Sequence, residues 1–90
     1  MNLSFETAMQ ARYIFLNIIS TDISFLPKSH KMQYQKLIVN VHMMIDRLGS
    51  IECEIRQNPR FQRRIIEQKL KVENALSEFA NWVMLLKLSY

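Results

Sequence analysis

Pro27, Gly49 and Pro59 are the only proline and glycine residues among 90, and that scarcity constrains the fold more than any other feature. A many-stranded β architecture needs a turn about every 8–12 residues, built largely from Gly, Pro, Asn and Asp. This chain has too few turn formers for that. The expected fold is all-α, in one domain covering residues 1–90.

The stretch from Asn58 to the C-terminus carries the sharpest helix signal. Asn58 is a favoured N-cap, because its side-chain oxygen can accept from an unpaired amide of the first turn. Pro59 suits the first helical position, where a missing N–H costs nothing. Phe61, Ile65, Val72, Ala75, Leu76, Phe79, Trp82, Val83 and Leu86 then recur at the helical period and fall in one arc. Upstream, Tyr34, Leu37, Val41, Met44, Leu48, Ile51 and Ile55 alternate by three and four residues, which predicts a second long helix with a narrow apolar seam. It starts between Pro27 and His30 and ends near Gln57. Gly49 lies in its interior at a cost of about 1 kcal/mol relative to Ala. A bend, a break or a close helix contact is expected there.

A shorter helix is expected from about Ser4 to Ile19, with Ser4 as its cap and Glu6 in the first turn. Phe5, Ala8, Met9, Ala11, Phe15, Leu16, Ile18 and Ile19 cover more than half its circumference, so it should pack against two neighbours. A strand over Tyr13–Ile19 is the competing reading. Arg12 falls inside this apolar arc, where it either snorkels to water from the core edge or serves in a buried ion pair or as a partner-binding arginine. Residues 20–29 form a connector that packs down through Ile23, Phe25 and Leu26, with a short helical turn expected over 21–25. Two long helices joined by a short link fold back as an antiparallel hairpin, and the first helix lies across its groove.

A second apolar stripe is left over. Ile66, Leu70, Ala80, Met84 and Leu88 lie roughly opposite the main arc of the last helix, as do Met32, Val39 and Met43 on the middle one. One hairpin and one short helix cannot cover both sides. Scattered surface Met and Leu are the plain explanation; an interface, with a homodimer expected, is the sharper one. Val39, Met43, Ile66, Leu70 and Met84 are the candidate apolar contact residues.

Charge is concentrated too. The net charge is +4, and the segment from Arg56 to Lys71 holds six cations against Glu67, so it carries +5 and the remainder −1. Arg56, Arg60, Arg63, Arg64 and Lys71 are the candidate basic contact residues. They could meet an acidic protein, the phosphates of a nucleic acid or an anionic membrane surface, although no aromatic interleaves with them to stack bases. A solvated helix face is the plainest reading. Phe79, Trp82 and Tyr90 could anchor a partner, but the first two are more naturally core.

Catalysis finds little footing. Cys53, the sole cysteine, stands between Glu52 and Glu54, whose charges oppose thiolate formation. No intrachain disulfide can form, and a reducing, cytoplasmic setting is expected. His42 and Asp46 are one helical turn apart, but two ligands do not make a metal site. No catalytic residue, cofactor or small-molecule substrate is expected, and no apolar run is long enough to span a membrane. The expected function is a non-enzymatic protein–protein interaction module, such as an adaptor, chaperone or inhibitor, that presents an apolar groove rimmed by arginines. Nucleic-acid binding through the basic face is the alternative.

Overall fold

The computed structural model describes residues 4–19, 24–57, 60 and 62–89. Three helices account for nearly all of them: α1 (Ala8–Ile19), α2 (Lys28–Gln57) and α3 (Gln62–Ser89). No strand occurs among the described residues. The all-α expectation therefore holds, and the strand alternative for Tyr13–Ile19 does not. At about 1.5 Å per residue a 30-residue helix is some 45 Å long, which accounts for molecular dimensions of 48 × 23 × 17 Å. The proposed caps Asn58 and Pro59, the start of the apolar arc at Phe61, Tyr90 and much of the proposed turn at 21–25 lie outside the described residues.

α2 and α3 form the antiparallel hairpin. Cross-links show the sense of pairing: Arg64 meets Glu54, Gln68 meets Met44, and Phe79 and Trp82 meet Tyr34. α1 runs antiparallel to α2, with Ala8 beside Glu52, Arg12 beside Asp46 and Ile19 beside Tyr34. Its other flank reaches α3 through Phe15.

The core sits where all three helices meet. Val41, Ile45, Leu48, Val72, Leu76 and Phe79 are at most 1% exposed. Phe79 is the hub, with ring centroids 5.9 Å from Phe15 and 5.4 Å from Tyr34, and Tyr34 lies 5.9 Å from Trp82. These tilted pairs are the arrangement that aromatic quadrupoles favour. Ile45, absent from the heptad seam read off the sequence, is buried because α1 covers a second flank of α2. Ala80 packs against the core and not on the outer stripe where its position suggested. Gln68 is buried with its Nε2 donating 3.1 Å to the Met44 carbonyl, so no polar side-chain atom is left unpaired in the interior of the described residues.

Two local expectations are corrected. α1 starts at Ala8 and not at Ser4, because Thr7 is the cap. The Gln10 N–H donates to Thr7 Oγ1 at 3.3 Å, and the Ala11 N–H donates to the Thr7 carbonyl at 3.1 Å. Gln10 Oε1 reaches back to accept from the Glu6 N–H at 2.7 Å, a variant of the reciprocal capping box. Glu6 therefore precedes the helix. Gly49 neither breaks nor ends α2. It is a close-contact site: a β-carbon built on it would stand 3.6 Å from Ala8 Cβ.

Candidate functional site

The wide apolar arc of α1 does not go wholly inside. Ala8, Ala11, Phe15 and Ile18 are buried. Met9 and Leu16, expected in the core, are exposed, and Met9 is 81% accessible. With Tyr13 they recur at i, i+4 and i+7, which places them on one outward stripe. That spacing is present in the sequence, but apolar residues cover more than half of the helix circumference around it and hide it.

Arg12 snorkels to the water boundary and finds an ionic partner there, so the buried ion pair does not form. Its Nη2 donates to Asp46 Oδ1, and His42 Nε2 lies 3.3 Å from the other oxygen of the same carboxylate. Both ends of the arginine pair are about half exposed, so the guanidinium is paired at the water boundary and not buried. The pair of His42 with Asp46 gains no further ligand, and no group of three or more His, Cys, Asp or Glu converges among the described residues.

Glu52 and Glu54 are both engaged. Glu52 Oε1 accepts from the Ala8 N–H at 2.6 Å, placing a carboxylate on an otherwise unpartnered amide at the positive end of α1. Glu54 Oε2 accepts from Arg64 Nη1 at 3.0 Å. Cys53 between them is exposed, on the rim of an open furrow shared by Met9, Arg12, Asp46, Gly49 and Ser50.

All five candidate basic residues, Arg56, Arg60, Arg63, Arg64 and Lys71, are exposed. Arg64 is tied across the hairpin to Glu54, which draws on the same charge that would meet a phosphate. Lys71 lies further along, with Asn40, Met43, Met44, Arg47 and Gln68 around a shallow depression between α2 and α3.

The five candidate apolar residues, Val39, Met43, Ile66, Leu70 and Met84, are between 54% and 65% exposed. The hairpin separates them into two sets. Val39 and Met43 lie with Met32 on the outer face of α2, and Met43 leans toward Lys71. Ile66 and Leu70 stand roughly 100–140° around α3 from Lys71 at the helical period, on a face turned away from α2. Met84 and Leu88 continue that face, and Leu85 flanks it. The apolar surface is thus one stripe on each helix and not a single groove.

Among the described residues, one titrating group has a resolved shift, and it lies in the core: burial raises the Tyr34 hydroxyl above its ordinary value of 10.0. That hydroxyl donates 3.2 Å to the Ile19 carbonyl at the end of α1. No helix is long and apolar enough to cross a membrane among the described residues. Comparison with protein families, with curated proteins and with solved structures finds no match to this chain.

Proposed function

We propose that this protein is a non-enzymatic interaction module that docks another polypeptide, its own copy or a different protein, on the outer apolar faces of its helices. One observation supports the reading above the others. Among the described residues, three helices close a core in which six large side chains are all but inaccessible, yet twelve large apolar side chains remain exposed. Exposed apolar area of this extent, bordered by polar residues, favours an interface over a free surface. The rigid rod between them suits an adaptor, chaperone or inhibitor, whose work is to hold a surface in place. With one unpaired cysteine on the surface, a reducing cytoplasm is the proposed setting.

Light scattering after size-exclusion chromatography, at several concentrations and at low and high salt, tests this together with binding of an environment-sensitive apolar dye. The expected result is either salt-tolerant self-association or a monomer that binds the dye strongly. A monomer that ignores the dye but binds duplex DNA with a steep loss on adding salt would overturn it in favour of the basic face.

A further inference from the structure

We draw no further inference here: the strongest candidate, the outer face of α3 where Ile66, Leu70, Met84 and Leu88 are exposed, is an apolar surface interrupted by Glu73, Asn74, Ser77 and Asn81, and nothing in the structure shows what covers it.

Discussion

α2 holds its two neighbours by different means. Against α3 it presents a long apolar seam, with Gln68 to Met44 as an interior polar tie. Against α1 it presents a short apolar patch pinned at three heights: Glu52 on the first amide of α1, Asp46 on Arg12, and the Tyr34 hydroxyl on the last carbonyl. The contrast follows from length. Helices of 28 and 30 residues bury enough area to fix their own register, because sliding one turn misaligns every layer. A 12-residue helix is marginal in isolation and has few layers to misalign. Specific contacts at its ends supply the register that area cannot.

The comparison predicts a graded series of effects, each measured by denaturant or thermal unfolding. The seam should be the costliest place to cut. Phe79→Ala removes the ring shared by all three helices and is expected to destabilise by about 3–5 kcal/mol; a loss under 1 kcal/mol would mean that the aromatic hub is not the core's centre. Among the pins, Tyr34→Phe keeps the ring and loses one hydrogen bond, at a cost of about 1 kcal/mol. It has a pH signature as well. Burial raises the folded-state pKa of this phenol above 10.0, so the native state favours the neutral form. The stability linked to this group is fully present below pH 10 and is lost as pH rises through the folded-state value. In Tyr34→Phe that alkaline loss should shrink; an unchanged profile would place its origin elsewhere.

Removing the α1 cap should cost less than cutting the seam. Thr7→Ala and Glu52→Ala are each expected to lower stability by about 1 kcal/mol. Hydrogen exchange should localise the loss to α1 while the α2/α3 amides keep their protection. Uniform loss across the chain would show that α1 and the hairpin unfold as one unit. Gly49→Ala sharpens the contrast with the opposite sign. The added methyl meets Ala8 Cβ at ordinary contact distance, and a mid-helix glycine gives way to a better helix former, so a gain of about 0.5–1 kcal/mol is expected. A loss would show that α1 sits closer to α2 than this geometry allows. Smallest of all is Met43→Gln on the outer face of α2, expected within about 0.5 kcal/mol of the native chain.

The site was only partly legible beforehand. The outward placement of Val39, Met43, Ile66, Leu70 and Met84 could be read from periodicity, because α2 and α3 each carry two separable stripes. On α1 the same reasoning put Met9 and Leu16 in the core. There the apolar residues run almost all the way round, and no period distinguishes the face that a neighbour will cover. The capping role of Thr7 was present as a Thr-x-x-Gln pattern, but Ser4 offered an earlier cap of equal chemical merit. The partner that decided between them, Glu52, is 45 positions away in sequence.

By itself, the order of residues determined what depends on neighbours within a few turns: three helices, their approximate ends, and the side of each long rod that must leave water. Turn chemistry and a 3.6-residue period are local properties, and they survive being read in one dimension. The third dimension decided what depends on who stands opposite. It gave Arg12 a carboxylate, sent Arg64 across the hairpin to Glu54, buried Ile45, drew Ala80 against the core, and divided one supposed groove into separate outer faces. Each of these outcomes is fixed by the angle and height at which one helix meets another, and those quantities are set by the packing of the whole molecule.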